Sequence, residues 1–258
     1  MKILNIPLSP SMDFINLTAY LQTRPVTMFE PNPLRPAMIV VPGGGYLEVN
    51  EAESEYVALQ FLALDYQVFT LSYAVGAPFA RFPFPMENLS EAIGHVRKHA
   101  ENYGVAPNQV FVCGLSTGGH LAIHSAADPQ KNKPDALLLV YPVLDLVNFK
   151  THMHRQDPSS RAFSDMVFTA ALGTPDPSND QLHLWGLPTT AAGEMPPTFI
   201  MTLREDPVSS IEGVDVYLNE LKAHNIRCQL TIIDGKKHGD YLGDWPKIAS
   251  KWLQFLCQ

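Results

Sequence analysis

Short hydrophobic runs alternate with longer amphipathic segments over most of the chain. The runs are rich in Val, Ile, Leu and Phe, which is typical of buried strands, and they lie at residues 37–41, 67–73, 109–113, 136–141, 198–203 and 227–233. Helix-like segments follow these runs at residues 54–64, 86–103, 119–127, 214–223 and 245–257. They have apolar residues at helical spacing, or small and apolar residues suited to tight packing. This alternation predicts an α/β fold with a mostly parallel central sheet flanked by helices.

Two regions depart from the alternation. Residues 15–20 precede the first of these strands, and we expect them to contribute to the edge of the sheet, with antiparallel pairing as one option. Residues 143–195 are rich in Pro, Asp, Ser, Thr and His and contain only short apolar runs. Because that segment is too short for a domain, we interpret it as a cap or lid insertion over the sheet edge, within a single domain of residues 1–258.

Charge excludes some classes of partner. The chain has 258 residues, 46% of them hydrophobic and 17% charged, and its net charge is −8. No basic cluster is longer than Lys236-Lys237, which argues against binding of nucleic acid or of an anionic membrane surface. We expect a small-molecule ligand instead, and whether the chain forms a homo-oligomer is left open.

The cysteines and the first residues bear on location. Cys113, Cys228 and Cys257 are odd in number and far apart, so we interpret them as reduced thiols and not as disulfides or zinc ligands. Pro7 and Asp13 interrupt any apolar run near the start, so no signal peptide is apparent. A cytoplasmic location is the default expectation.

The most informative motif is Gly114-Leu115-Ser116-Thr117-Gly118. A G-x-S-x-G pattern arises by chance in about one chain in ten, so its context matters. Here it lies between a predicted strand and a predicted helix, as in a nucleophile elbow, where a sharp turn exposes a serine hydroxyl above the sheet. The motif therefore predicts that Ser116 is a nucleophile.

A serine nucleophile needs a base and an acid that orients the base. Asp206 follows the predicted strand at 198–203, and His238 follows the one at 227–233. The carboxyl ends of parallel strands lie along one edge of a sheet, and the chain order Ser, Asp, His is that of this elbow fold. We therefore predict a Ser116-His238-Asp206 triad.

Other residues could fill these roles. Glu205 adjoins Asp206, but the shorter aspartate before a proline should hold a histidine more rigidly. His120 lies in the helix after the serine and is interpreted as structural. His152-x-His154 could suggest a metal site, but no third ligand has suitable spacing, so we expect no metal.

Donors for the oxyanion are predicted from the backbone. Pro42-Gly43-Gly44-Gly45 follows a buried strand, where amide groups can approach a substrate carbonyl. We expect the N–H groups of Gly44 and Gly45, together with that of Thr117 directly after the nucleophile, to form the oxyanion hole. A flexible turn is the structural alternative for the three glycines.

These segments together resemble the α/β-hydrolase superfamily, from about residue 37 to the end of the chain. Within it, Pro42-Gly43-Gly44-Gly45-Tyr46, Tyr141-Pro142-Val143, Asp206-Pro207-Val208 and His238-Gly239 resemble small acetyl-esterase-like carboxylesterases grouped with feruloyl and acetylxylan esterases. The resemblance implies hydrolysis of short acyl esters, including acetyl groups on sugars, without a cofactor. Thr117 is a departure, since alanine is more common after the nucleophile in that group.

The predicted function is thus that of a serine carboxylesterase acting through an acyl-enzyme on Ser116. Tyr46, Trp185 and Tyr241 are candidate walls of the substrate pocket, with core or lid packing as the alternative. Three other functions remain open. They are a small serine peptidase of the prolyl-oligopeptidase type, a non-catalytic hydrolase-fold binding protein, and a lipase, which would need a broader apolar lid.

Overall fold

A computed structural model describes residues 1–23, 34–187, 194–235 and 237–257. In this part of the chain the strands are β1 (Lys2–Pro7), β2 (Asn16–Leu21), β3 (Arg35–Val41), β4 (Gln67–Ser72), β5 (Val105–Leu115), β6 (Ala136–Val140), β7 (Thr198–Leu203) and β8 (Cys228–Ile233). They form one sheet in the order β1-β2-β4-β3-β5-β6-β7-β8. Strands β3 to β8 pair in parallel, whereas β1–β2 and β2–β4 pair antiparallel.

The helices of the described residues follow the predicted alternation. They are α1 (Glu51–Ala63), α2 (Phe84–Lys98), α3 (Ala100–Tyr103), α4 (Thr117–Ala127), α5 (Leu146–Gln156), α6 (Pro158–Leu172), α7 (Asn179–Leu184), α8 (Ile211–Ala223) and α9 (Trp245–Leu256). None of these is long and apolar enough to cross a lipid bilayer. The α/β prediction is confirmed, and so is the mostly parallel sheet.

Both faces of the sheet are covered because side chains alternate along each strand. In β3, Ile39 and Val41 belong to a core that includes residues of α2, α4 and α8. Met38 and Val40 belong to the core on the other face, which includes residues of α1 and α9. The central strands are therefore buried on both sides, and their carboxyl ends meet at one edge of the sheet.

Two details differ from the sequence prediction. Strand β1 was not expected, and its outer position leaves most of its side chains exposed or half-buried. The helix predicted at 86–103 is divided at His99 into α2 and α3, and Gly104 ends the second of them in the left-handed conformation. The edge strand expected at residues 15–20 is present as β2, and its pairing is antiparallel.

The predicted insertion contains helices α5, α6 and α7. These helices enclose a separate small core that includes Leu146, Phe149, Met153 and Phe168. Residues 188–193 of the insertion lie outside the described residues. The insertion is therefore a packed helical unit beside the carboxyl edge of the sheet.

Candidate active site

Ser116 occupies the sharp turn between β5 and α4. Its backbone angles are φ 52° and ψ −119°, a strained conformation for a residue with a side chain. The turn is fixed on both sides, because the Ser116 N–H donates to Val140 O at 3.0 Å and the Val143 N–H donates to Ser116 O at 3.2 Å. This geometry is that of a nucleophile elbow.

The glycines of the motif allow the helix to start close to the sheet. A Cβ atom on Gly118 would lie 2.6 Å from the carbonyl oxygen of Pro42, and one on Gly114 would lie 2.5 Å from that of Gly118. Both distances are far below van der Waals contact with rigid backbone. Glycine at these two positions is therefore required by close packing at the elbow.

His238 and Asp206 complete a chain of hydrogen bonds from Ser116. Ser116 Oγ lies 2.8 Å from His238 Nε2, and His238 Nδ1 lies 2.8 Å from Asp206 Oδ2. Asp206 follows β7, His238 follows β8, and the Asp206 side chain has no exposed surface. With Nδ1–H donating to the carboxylate, Nε2 is free to accept the serine proton.

The residues considered as an alternative acid, Glu205, and as a metal site, His152 and His154, are not part of this hydrogen-bond chain. Glu205 is exposed, whereas its neighbour Asp206 faces the histidine. His154 Nε2 lies 3.0 Å from Asp165 Oδ1 on the next helix. Among the described residues, no group of three His, Cys, Asp or Glu side chains could hold a metal ion.

The glycine loop (residues 43–45) follows β3 and faces the elbow. The Gly43 N–H donates to Glu53 Oε2 at 2.9 Å, and the Gly45 N–H donates to Thr117 Oγ1 at 3.1 Å. The N–H groups of Gly44 and Thr117 donate to no acceptor among the described residues. Two of the three amides expected as oxyanion donors are thus free, while the Gly45 amide is already occupied by a hydroxyl.

Residues 38–242 match the family model described as the alpha/beta hydrolase fold. The chain belongs to the alpha/beta hydrolase fold family. Among curated proteins it is 26% identical over 247 residues to an acetylxylan esterase of Xylanibacter ruminicola, a match covering 94% of this chain and 48% of that protein. It is 29% identical over 226 residues to endo-1,4-beta-xylanase B of Butyrivibrio fibrisolvens, covering 82% of this chain and 32% of that protein.

This alpha/beta hydrolase thus spans about half or less of the length of those two curated relatives. A solved structure of similar size is the acetyl ester-xyloside bifunctional hydrolase from Caldicellulosiruptor lactoaceticus, with a TM-score of 0.79 and 25% identity. That alignment covers 98% of this chain and 96% of the other. The carboxylesterase Cest-2923 from Lactobacillus plantarum has the same fold, with a TM-score of 0.78 at 20% identity, covering 100% of this chain and 98% of that one.

A cleft of about 230 Å³ opens in this hydrolase beside Ser116 and His238. Its lining has a polar side, with Glu48, Asn50 and Glu53, and an apolar side. The apolar side comes largely from the insertion and its neighbours, namely Val143, Phe149, Phe163 and Val208. The cleft can therefore receive a small molecule with one apolar and one polar part.

The three predicted pocket walls lie outside the lining of this cleft. Tyr46 is only 2% exposed, and its hydroxyl lies 2.7 Å from His120 Nδ1 and 3.2 Å from Thr117 O. The Trp185 carbonyl accepts a bond from a buried histidine, and the Tyr241 ring packs on Tyr56 with centroids 5.2 Å apart. The structure thus gives these aromatic residues packing positions, and direct contact with a substrate stays a prediction.

His120, interpreted from the sequence as structural, is fully buried beneath the elbow. Its Nδ1 lies 2.7 Å from the Tyr46 hydroxyl and its Nε2 lies 2.6 Å from Trp185 O. Burial lowers the pKa of His120 to about 3, with His124 adding to the effect, and burial lowers the pKa of His124 to about 4. Both imidazoles are neutral near pH 7, and they join α4 to the insertion.

Glu53 is the site residue that sequence reasoning missed. Its side chain is buried on α1, where it accepts hydrogen bonds from the Gly43 N–H and, at 3.1 Å, from the Tyr141 hydroxyl. A sequence signal was available, because Glu53 stands four and eight residues before Val57 and Phe61 on the apolar face of the helix. A carboxylate on the buried face of a helix needs a hydrogen-bond donor or a positive charge beside it.

Proposed function

We propose that this alpha/beta hydrolase is a serine carboxylesterase for short acyl esters, with acetyl esters of carbohydrates as its substrate class. The observation that carries the proposal is the continuous hydrogen-bond chain Ser116–His238–Asp206, with distances of 2.8 Å at both steps. This chain opens into a cleft that also exposes free backbone donors. Acyl transfer by serine requires all of these groups together.

The proposed cycle has two steps. Ser116 Oγ attacks the ester carbonyl while His238 Nε2 takes its proton, and Asp206 stabilises the resulting imidazolium. The oxyanion accepts hydrogen bonds from the N–H groups of Gly44 and Thr117. His238 then protonates the departing alcohol, which leaves an acyl group on Ser116. Water, deprotonated by the same histidine, attacks the acyl-enzyme and releases the acid.

The preference for short acyl groups follows from the apolar side of the cleft. Phe149 and Phe163 stand on helices of the insertion and restrict the space beside the nucleophile. A cleft of about 230 Å³ suits a small ester better than a long acyl chain. This limited space favours an esterase over a lipase.

The carbohydrate alcohol is proposed from the polar side of the cleft and from the relatives. Glu48 and Asn50 present oxygen and nitrogen atoms of the kind that bind sugar hydroxyls, and Glu48 is exposed. The two carboxylates of Glu48 and Glu53 also disfavour anionic substrates. Acetylxylan esterase activity and acetyl ester-xyloside hydrolysis are the activities named for two proteins similar to this one.

The first experiment tests the nucleophile. The protein is incubated with a fluorophosphonate probe and with 4-nitrophenyl acetate, beside Ser116→Ala and the matched control Ser125→Ala. Ser125 lies in α4, and its buried hydroxyl has no hydrogen-bond partner among the described residues. We expect Ser116→Ala to lose labelling and to lower kcat by on the order of 10⁴-fold or more, with Ser125→Ala unaffected. Wild type that neither labels nor turns over would point to a binding protein.

The second experiment tests the substrate. Rates are compared for 4-nitrophenyl acetate, butyrate and decanoate, for the matching anilide, and for acetylated xylo-oligosaccharides. We expect acetyl to be preferred over butyryl by on the order of tenfold in kcat/KM, with little activity on decanoate. Faster cleavage of the anilide than of the ester would favour a peptidase, and failure on every acetylated sugar would remove the carbohydrate assignment.

A further inference from the structure

We infer that Glu53 and Thr117 are positioning residues that hold the two outer amides of the glycine loop, leaving an oxyanion hole with two backbone donors. Those donors are the N–H groups of Gly44 and Thr117. The inference rests on the proposed function, since only acyl transfer requires an oxyanion hole. It departs from the three-donor arrangement expected from the sequence, in which Gly45 was also a donor.

The first anchor is the Glu53 carboxylate. The Glu53 residue is only 4% exposed, and its two oxygens accept from the Gly43 N–H at 2.9 Å and the Tyr141 hydroxyl at 3.1 Å. Burial raises the pKa of Glu53, and the hydrogen bonds from Gly43 and Tyr141 act in the opposite direction. Both oxygens of the Glu53 carboxyl group accept hydrogen bonds. This arrangement fits the ionised form, which has no proton to donate.

Gly43 lies between this carboxylate and the nucleophile. A Cβ atom on Gly43 would lie 2.9 Å from Ser116 Cβ and 3.1 Å from Glu53 Oε2. The carboxylate, the loop backbone and the elbow are therefore packed too closely for a side chain at position 43. The Glu53 carboxylate holds the peptide immediately before the one that carries the Gly44 N–H.

The second anchor is the Thr117 hydroxyl. Thr117 Oγ1 accepts from the Gly45 N–H at 3.1 Å, and the residue is 5% exposed. Thr117 is also the first residue of α4, so its own N–H lies beside Ser116. One residue thus provides a free backbone donor and fixes the loop that carries the other.

The two anchors bracket the one loop amide that remains free. The Gly43 and Gly45 amides are bound by side chains, while the intervening Gly44 N–H has no acceptor among the described residues and Gly44 lines the cleft. A donor acts in catalysis only when it already points at the position of the developing charge. Holding the peptides on both sides of Gly44 provides that orientation before substrate binds.

The test uses one disruptive and one conservative variant at each anchor. Thr117→Val removes the hydroxyl and keeps the shape, whereas Thr117→Ser keeps the hydroxyl. Glu53→Ala removes both acceptor oxygens. Glu53→Gln can accept from the Gly43 N–H with its oxygen and donate to the Tyr141 oxygen with its nitrogen.

Matched controls are Thr202→Val and Glu55→Gln. The Thr202 hydroxyl is buried in β7 without a hydrogen-bond partner among the described residues, and Glu55 is exposed on α1. Urea unfolding of each variant checks that it is folded. If Glu53→Ala does not fold, Thr117→Val and the Glu53→Gln comparison still test the inference.

We expect Thr117→Val and Glu53→Ala to lower kcat for 4-nitrophenyl acetate by on the order of 10- to 100-fold, with little change in KM. Thr117→Ser and Glu53→Gln should stay within about threefold of wild type, since each preserves the hydrogen bond to its loop amide. Wild-type kcat in both disruptive variants would overturn the inference. A rise in kcat in Thr117→Val would also overturn it, because the freed Gly45 amide would then act as a third donor.

A second readout does not depend on activity. In protein labelled with ¹⁵N-glycine, we expect slow hydrogen exchange for the Gly43 and Gly45 amides and fast exchange for Gly44. Gly45 protection should fall in Thr117→Val, and Gly43 protection should fall in Glu53→Ala. If wild type is inactive but shows this pattern, the esterase proposal fails while the anchors stand. If wild type is active and the variants do not change the exchange rates, the anchors are wrong.

Discussion

Asp206 Oδ2 lies 2.8 Å from His238 Nδ1, and the other oxygen of the carboxylate, 3.0 Å from the same nitrogen, is also bound to the backbone. Asp206 Oδ1 accepts from the Val208 N–H at 2.8 Å and from the Ser209 N–H at 2.9 Å. The turn after β7 thus fixes the carboxylate independently of the histidine. A fixed acceptor determines which imidazole nitrogen carries the proton.

Asp206→Asn tests this relationship. The amide would present N–H groups to His238 Nδ1, so the imidazole would place its proton on Nε2 and could not accept the Ser116 proton. We expect kcat for 4-nitrophenyl acetate to fall by about 10⁴-fold, with the fold unchanged. Glu205→Gln is the matched control on the exposed neighbour and should keep wild-type activity. Comparable activity of the two variants would contradict the role of Asp206.

The buried histidines predict how stability depends on pH. Burial lowers the pKa of His120 to about 3 and that of His124 to about 4, against 6.5 when unfolded. As the pH falls below 6.5, the unfolded chain binds protons that the folded chain does not. The contribution of these two histidines to the unfolding free energy is therefore fully present above pH 6.5. It declines toward pH 4, by up to about 1.4 kcal/mol per pH unit for each histidine.

Urea unfolding of wild type and His124→Gln at pH 7.5, 6 and 5 measures this effect. We expect a smaller decline in the unfolding free energy of the glutamine variant between pH 6 and pH 5, because one of the imidazoles with a lowered pKa is gone. His183→Gln, at an exposed position on α7, is the control and should follow wild type. Equal declines in wild type and His124→Gln would show that this buried imidazole does not carry the pH dependence.

Close packing at the elbow predicts that Gly118 does not tolerate a side chain. In Gly118→Ala the added methyl group would press on the carbonyl oxygens of Val41 and Pro42, neither of which can move without displacing the central strand. We expect a loss of about 3 kcal/mol or more in unfolding free energy. Gly235→Asn is a contrasting change, because Gly235 has a φ of 69° but nothing within 4 Å of its Cβ position. It should cost under about 1 kcal/mol, and a similarly small cost for Gly118→Ala would refute the packing argument.

Phe163 is expected to limit the acyl group. Its ring lies over the glycine loop, with Phe163 Cζ 2.9 Å from where a Cβ on Gly45 would be. Phe163→Ala should raise the ratio of butyrate to acetate activity, in kcat/KM, by on the order of tenfold, since it lengthens the apolar side of the cleft. Phe255→Ala on α9, where the ring is 67% exposed, is the control for loss of an aromatic side chain. An unchanged ratio in Phe163→Ala would place the acyl group elsewhere.

Much of the fold and the triad geometry could be predicted because a parallel sheet brings the residues after its strands to one place. Strand ends meet at one edge, so residues that follow different hydrophobic runs become neighbours. Ser116 and His238 are 122 residues apart in sequence, and their side chains are 2.8 Å apart. The inference required only the strand positions and the order of the three residues.

Other features depend on contacts that no local pattern encodes. Whether the Gly45 amide is free depends on a hydroxyl 72 residues away, and the sequence does not show which way that hydroxyl turns. The helices of the insertion were not predicted from the sequence, and α5 shows a reason, because it buries only a narrow apolar stripe. In α5 that stripe is Leu146, Phe149 and Met153, at helical spacing within a polar segment.

The small core of the insertion and the sheet position different parts of the site. Phe149 and Phe163, which bound the apolar side of the cleft, pack in that small core, whereas Ser116, Asp206 and His238 are carried by the sheet. The insertion also packs against the main core, through Leu144, Ala170 and Ala171. Substitutions confined to the small core can therefore alter which esters fit while the elbow and the strand ends keep their geometry.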